Sequence, residues 1–117
     1  MDGATRYLSG LAAESSVKRH YEQRGAICLA ERWRGQAGEI DLIFRQRDDI
    51  VFVEVKKAAT IAIAAERLRP RQITRLLRAG EEYLARLPTG LATPARFDIA
   101  LVDGGGVVET LENALIG

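Results

Sequence analysis

Two acidic residues and a lysine lie where a strand pattern would bring them together: Asp41 in EIDLIF, and Glu54 and Lys56 in FVEVK. The two segments flank the polar stretch QRDD, which predicts two antiparallel strands joined by a tight turn centred in that stretch. In this register Asp41 faces Glu54 and Glu39 faces Lys56, all on one face of the sheet, because side chains alternate along a strand. The pattern therefore predicts two carboxylates whose Cβ atoms are roughly 5 Å apart.

Two like charges on facing strands destabilise a sheet unless something offsets their repulsion. A raised pKa, a basic neighbour or a bound hard cation would do so, and Mg²⁺ (or Mn²⁺) binds through one or two carboxylates together with water and substrate phosphate. Lys56 is placed to orient or deprotonate an attacking water and to offset charge on phosphorus. These residues predict metal-assisted hydrolysis of a phosphodiester. The alternative is a solvated sheet face with a cross-strand ion pair between glutamate and lysine.

The remaining residues of this hairpin determine its register. The face opposite Asp41 is wholly apolar and must pack on the core, which fixes the register because a slip of one residue would turn these side chains outward. Ile43 and Phe52 make the acidic face partly apolar as well, so we expect that face to be partly covered. The apolar face consists of Ile40, Leu42, Phe44, Val51, Val53 and Val55.

A helix is predicted over residues 8–24, where Ala13, Val17 and Tyr21 recur at helical spacing. Glu14 lies at the margin of that apolar stripe and would add a carboxylate for a metal or its waters if it reaches the same sheet edge. An ordinary surface carboxylate is the alternative for Glu14.

A second helix is predicted from Pro70 to the residue before Pro88, and the stretch 67–80 holds several arginines and no acidic residue. Gln72 lies at the border of its apolar stripe, within reach of the active edge or of a phosphate. A nucleic-acid backbone could lie along the basic stripe, although Glu82, four residues after the last arginine, leaves a solvated ion-paired face as the alternative. The stripe opposite the apolar face consists of Arg71, Arg75 and Arg78.

The other elements complete an α/β pattern. Strands are predicted at residues 26–33 and 97–103, and residues 107–115 fit a last strand running into a short turn, whereas 57–69 fits an extended connection or a short helix equally well. The three glycines at 104–106 indicate a hairpin turn, since no GK[ST] follows. The order of helix, three strands, helix and two strands predicts an α/β domain over residues 1–117, with a central mixed sheet flanked by helices.

Composition limits the class of protein. The chain has 117 residues, 47% of them hydrophobic, and a formal net charge of +1. Any basic surface that binds nucleic acid must therefore be a local patch. One cysteine excludes an internal disulfide framework and a multi-thiolate zinc site. The first twenty residues contain no signal-peptide core, and no run of about 18 apolar residues occurs. We therefore expect a cytoplasmic protein without a membrane partner.

The chain contains GEIDLI followed by FVEVK, with AE on a preceding helix and a basic helix afterwards. This pattern resembles that of the YraN-like uncharacterised protein family of the PD-(D/E)xK nuclease superfamily. The pattern is also similar to that of archaeal Holliday-junction resolvases. The resemblance runs from about Gly10 to the strand FDIAL. It implies a restriction-endonuclease-like fold, in which Asp41, Glu54 and Lys56 match the signature residues. Relatives commonly follow the lysine with Thr or Ser and then Arg, whereas Lys57 and Ala58 stand here, so no contact is carried over for these two.

By the same resemblance Glu14 matches the helix glutamate, and Gln72 matches a helix position that is often polar in such nucleases. It implies a divalent-metal-dependent nuclease acting on DNA, with branched or junction DNA as a candidate substrate. Junction cleavage needs two active sites, which a homodimer would supply. The alternatives are a nucleic-acid-binding module of the same fold without catalysis and an interaction protein without a nucleic-acid role.

Overall fold

The computed structural model describes the backbone of residues 3–114 and the side chains of residues 10–114. A short helix forms in the stretch that the sequence left open, where the Thr60 hydroxyl accepts the N–H of Ile63 as an N-cap. The elements are α1 (Gly3–Glu22), β1 (Ile27–Arg34), β2 (Glu39–Gln46), β3 (Asp49–Lys57), α2 (Ile61–Glu66), α3 (Pro70–Ala85), a 3₁₀ turn (Gly90–Ala92), β4 (Ala95–Val102) and β5 (Val108–Leu111). No helix in this part of the chain is long and apolar enough to cross a bilayer.

The five strands form one mixed sheet in the order β1-β2-β3-β4-β5, with β3 at its centre. All neighbours are antiparallel except β3 and β4, which are parallel and are joined through α2 and α3. The turn at 103–107 is a hairpin turn, as predicted, in which Asp103 accepts the N–H groups of Gly105 and Val107. The predicted α/β fold with helices around a central mixed sheet is confirmed, and it is consistent with a restriction-endonuclease-like fold.

The register of the central hairpin is as predicted. Leu42 pairs with Val53 and Gln46 pairs with Asp49, so the turn contains two residues, the first of which, Arg47, has a φ of +57°. The ladder between β2 and β3 ends at the pair of Leu42 and Val53. The site residues at 41 and 54 therefore lie one position beyond the last paired residues, where the backbones no longer bond to each other in the ladder.

Both faces of the hairpin are covered, because α1 packs on one side of the sheet and α3 on the other. On the α1 side the sheet contributes Leu42, Phe44, Val51 and Val53, which pack on the predicted helical stripe of Ala13, Val17 and Tyr21. The ring of Tyr21 stacks on Phe44 with centroids 4.6 Å apart. This packing turns the other set of hairpin side chains, including Asp41 and Glu54, toward α3.

The side of the sheet under α3 holds Ile43, Ile50 and Phe52. Here α3 lies close to the strands, because a Cβ added at Gly80 would come within 2.4 Å of the Phe97 ring. The prediction that Ile40 shares a face with Leu42 is wrong, since Ile40 packs in the cluster under α3. Ile40 lies beyond the end of the β2–β3 ladder and opposite Trp33 of β1, which belongs to that same cluster.

Candidate functional site

A cleft of about 340 Å³ opens where β2 and β3 separate beside the first turns of α3. Its position follows from the topology, because the ladder stops at Leu42 and the side chains beyond it point toward the helix. The predicted residues Asp41, Glu54 and Lys56 all line this cleft, and so do Gln72 and Arg75. The remaining lining residues are Gly38, Glu39, Val55 and Leu76.

Asp41 takes the place of the missing ladder hydrogen bond. Its Oδ2 accepts the backbone N–H of Val55 at 2.8 Å, just past the last backbone pair of the hairpin. The carboxylate is thus held by a charge-assisted bond while it lines the cleft. One side chain both closes the end of the hairpin and presents an acidic group to the site.

Glu54 lies next to Asp41 and is largely buried. The pKa of Glu54 is raised to about 9, mainly by burial and then by hydrogen bonding to Asp41 and the charge of Asp41, while the charge of Lys56 acts in the opposite direction. The side chains of Glu54 and Lys56 are only 13% and 15% exposed, and Lys56 Nζ lies 4.0 Å from Glu54 Oε2. The sequence predicted this arrangement of facing carboxylates beside a lysine, with a raised pKa as one way to relieve their repulsion.

The raised pKa of Glu54 predicts how the stability of the metal-free protein depends on pH. The folded protein keeps a proton on Glu54 that the unfolded chain releases, so the stabilisation is complete below the ordinary glutamate pKa and is lost as pH rises toward about 9. We expect the free energy of unfolding, measured with urea at intervals from pH 5 to 9, to fall less in Glu54→Gln. The exposed Glu81→Gln is the control and should follow wild type, whereas an unchanged slope in Glu54→Gln would contradict the assignment.

Glu14 approaches the site from α1 but is held by an arginine. Arg32 Nε lies 3.1 Å from Glu14 Oε2, and the glutamate side chain is only 16% exposed. Burial raises the pKa of Glu14, the hydrogen bond from Arg32 lowers it, and the charges of Asp41 and Glu39 raise it. Glu14 is therefore near the cleft, but it does not line it. Among the described residues no three His, Cys, Asp or Glu side chains form a group that could hold a metal ion.

The predicted basic stripe divides into one arginine at the cleft and two outside it. Arg75 lines the cleft, while Arg71 and Arg78 are exposed on α3 and do not line it. Gln72 lines the cleft too, yet its Oε1 also accepts the N–H of Arg69 at the start of the helix. The structure thus gives Gln72 a helix-capping contact that its position on the helix surface did not predict.

Glu82 performs a structural task that the sequence did not indicate. Its carboxylate accepts the N–H groups of Gln36 and Ala37 and pairs with Arg86, and these contacts lower the pKa of Glu82. The suggested ion pair with Arg78 is therefore wrong. These contacts hold the turn between β1 and β2 against α3. The turn leads directly into Gly38, which lines the cleft.

Arg32 is the residue of this region that sequence reasoning missed. Its φ of +50° is uncommon for a residue other than glycine, and it follows a register shift between Cys28 and Ala30. A strand pattern does not reveal such a kink, so the side chain's direction could not be read from alternation. The neighbouring Trp33 packs edge-on against Tyr83, with ring centroids 5.4 Å apart.

Comparison with known proteins identifies relatives over almost the whole chain. The profile of "Uncharacterised protein family UPF0102" matches residues 13–102. A UPF0102 protein of Roseobacter denitrificans is 52% identical over 113 residues, which cover 97% of this chain and 88% of the relative. A UPF0102 protein of Ruegeria pomeroyi is 54% identical over 112 residues, covering 96% and 91%, respectively. One from Cereibacter sphaeroides is 48% identical over 114 residues and covers 97% of both chains.

Proposed function

The chain belongs to the uncharacterised protein family UPF0102, and we propose that it is a divalent-metal-dependent nuclease that hydrolyses phosphodiester bonds in DNA. Branched or four-way-junction DNA is the proposed substrate class, and a homodimer would provide the two sites that junction cleavage requires. The proposed location is the cytoplasm, where nucleic acid and Mg²⁺ are both available. The observation that carries the proposal is the pair of adjacent carboxylates, Asp41 and Glu54, beside Lys56 in one cleft.

The acidic pair fits a hard divalent cation. Asp41 and Glu54 are close enough for hydrogen bonding between their side chains, and without a cation Glu54 keeps its proton. Mg²⁺ commonly uses one or two protein carboxylates and completes its shell with water and substrate phosphate, so a third acidic ligand is not required. Mn²⁺ accepts the same oxygen donors. When bound, the metal would polarise the phosphoryl group and favour ionisation of water.

The other cleft residues have roles that follow from their positions. The Lys56 ammonium is largely buried, so its charge is poorly screened and would stabilise negative charge that develops on the phosphoryl oxygens. Val55 N–H keeps the Asp41 carboxylate in place through its 2.8 Å hydrogen bond. Arg75 at the cleft and the exposed Arg71 and Arg78 would contact backbone phosphates and so position the strand without reading its sequence.

Replacing Lys56 by methionine is expected to separate catalysis from metal binding. The variant keeps most of the side-chain volume but lacks the charge, so we expect the rate of DNA cleavage to fall by about a hundredfold. Mg²⁺ affinity should be retained or become tighter, because a cation next to Glu54 has been removed. Single-turnover cleavage and calorimetric titration measure the two quantities. An equal loss of both would argue against the assigned role.

The proposed function is tested by titrating Mg²⁺ and Mn²⁺ into the wild-type protein by calorimetry, alongside cleavage of single-stranded, duplex, flap and four-way-junction DNA. Metal binding together with metal-dependent cleavage of one of these DNAs is the expected result. Asp48→Asn serves as the control, since Asp48 lies in the exposed turn at the opposite end of the same hairpin. Absence of metal binding by the wild-type protein would overturn the proposal.

A second candidate is a nucleic-acid-binding module of this fold that does not cleave DNA. The observation in its favour is that Glu14, which would be the third acidic group of the site, is engaged by Arg32. Salt-dependent DNA binding in Mg²⁺ and Mn²⁺, without cleavage of any of the four substrates, would select this module over the nuclease.

A further inference from the structure

Strand β1 directs two arginines at two glutamates that flank the cleft. Arg32 pairs with Glu14 of α1 at 3.1 Å, and Arg34 pairs with Glu39 of β2 at 3.6 Å. Glu39 lines the cleft, and the charges of Glu39 and Asp41 both act on Glu14. The acidic side of the site therefore carries two arginines that a sequence pattern did not associate with it.

The two ion pairs differ in burial. Arg34 is 80% exposed and Glu39 is 39% exposed, which is typical of a screened surface pair. Arg32 and Glu14 are 35% and 16% exposed, so the charge of Glu14 is largely removed from water and depends more on its partner. The positive φ of Arg32 directs this side chain toward α1 at a backbone position that most residues avoid.

We propose that Arg32 is the exchangeable counter-cation of Glu14: it holds this carboxylate while no divalent cation is bound, and it is released to a phosphate of the nucleic acid when the cation takes Glu14. The inference rests on the proposed function, because it assumes a divalent cation in the adjacent cleft. It assigns a positioning role to Arg32 in the metal-free protein and a substrate-binding role in the loaded protein.

The physical basis is competition for one carboxylate. Glu14 Oε2 accepts the bond from Arg32 Nε, and a divalent cation near the same oxygen would repel the guanidinium. Each cation must therefore weaken binding of the other by the same factor, as linkage requires. Once displaced, a planar guanidinium beside the cleft is well suited to a phosphate, with which it forms paired hydrogen bonds.

The first experiment is a calorimetric titration of Mg²⁺ alone into wild type, Arg32→Gln, Glu14→Gln and the double variant. We expect Arg32→Gln to bind Mg²⁺ about three- to tenfold more tightly, the range that an ion pair of this kind produces when it is lost. In the Glu14→Gln background the same substitution should change nothing, because the competed carboxylate is absent. Arg34→Gln is the matched control and should remain within about twofold of wild type.

A second measurement tests whether Arg32 contacts a backbone phosphate of the nucleic acid when Mg²⁺ is bound. Duplex DNA with phosphorothioate linkages is titrated into wild type and Arg32→Gln with and without Mg²⁺ at several salt concentrations. Without Mg²⁺ the two proteins should bind alike, since Arg32 is engaged by Glu14. With Mg²⁺ we expect Arg32→Gln to bind several-fold more weakly and the salt slope to fall by about one counterion. An equal loss in both conditions would overturn the exchange.

Folding must be separated from these effects. Arg32→Asn is the second variant, because asparagine tolerates a positive φ better than most residues, and thermal unfolding of each variant verifies the fold. If wild type binds Mg²⁺ and neither Arg32→Gln nor Arg32→Asn binds it more tightly than wild type, this inference is overturned. The proposed function is then left standing. Wild type that binds no Mg²⁺ would overturn both.

Discussion

Asp41→Asn is expected to abolish measurable Mg²⁺ binding and to slow DNA cleavage by about a thousandfold, the effect of losing roughly 4 kcal/mol of transition-state stabilisation. The substitution removes the charge but keeps an oxygen that can accept the Val55 N–H, so the end of the hairpin should stay in place. The loss therefore reports on the chemistry of the carboxylate and not on the fold. Calorimetry and single-turnover cleavage measure the two effects.

The control for this variant is Asp48→Asn, which makes the same chemical change in the exposed turn of the same hairpin. It should bind metal and cleave DNA like wild type. Thermal unfolding of both variants should lie close to that of wild type. Asp41→Asn that cleaves DNA at the wild-type rate would remove Asp41 from the site and with it the proposed arrangement of ligands.

Asp98→Ala is expected to be the most destabilising single substitution outside the apolar core, at about 3–5 kcal/mol. The Asp98 side chain is fully buried and pairs with Arg96, accepts the Tyr21 hydroxyl at 2.7 Å and accepts the N–H of Asn113 at 2.9 Å. Its removal leaves the buried Tyr21 hydroxyl without its acceptor and leaves the partly buried Arg96 guanidinium with only Gln46 and Glu112. Urea denaturation should show a lower midpoint with little change in slope.

Two companion variants test the origin of that loss. Tyr21→Phe removes one hydrogen bond of the network and should cost about 1–2 kcal/mol, much less than loss of the carboxylate. Asp48→Ala, at an exposed position, should stay within about 0.5 kcal/mol of wild type. If Asp98→Ala destabilised the protein no more than Asp48→Ala does, the network would not contribute to stability.

The alternating pattern of the hairpin was sufficient to predict that Asp41, Glu54 and Lys56 lie together in one cleft. Apolar residues on the face that includes Leu42 and Val53 permit only one register, and that register brings Asp41 next to Glu54. Sequence patterns also predicted α1, α3 and the mixed sheet, and left α2 open. It was wrong for Ile40, because alternation describes a regular strand and Ile40 lies beyond the end of the ladder.

Contacts made by flexible polar side chains were not predictable in this way. Arg32 reaches Glu14 from an irregular strand with a positive φ, and nothing in the spacing of the two residues indicates their contact. Glu82 could pair with Arg78 on an isolated helix, but in the fold it meets two backbone N–H groups of the turn between β1 and β2. Tertiary contacts decided both cases, and local sequence does not report them.

Glu54 and Lys56 are carried by β3, the middle strand of the five, beyond the end of its ladder with β2 but within its ladder with β4, where they pair with Ile99 and Leu101. Strands in this position exchange their amide protons slowly, since they open only when much of the sheet opens, whereas edge strands fray. The backbone that carries these two side chains is therefore held by β4 on one side and by the hydrogen bond from Val55 N–H to Asp41 on the other. Local unfolding of β1 would move Arg32, and local unfolding of β5 would open its pairing with β4. Either event would occur before Glu54 and Lys56 moved.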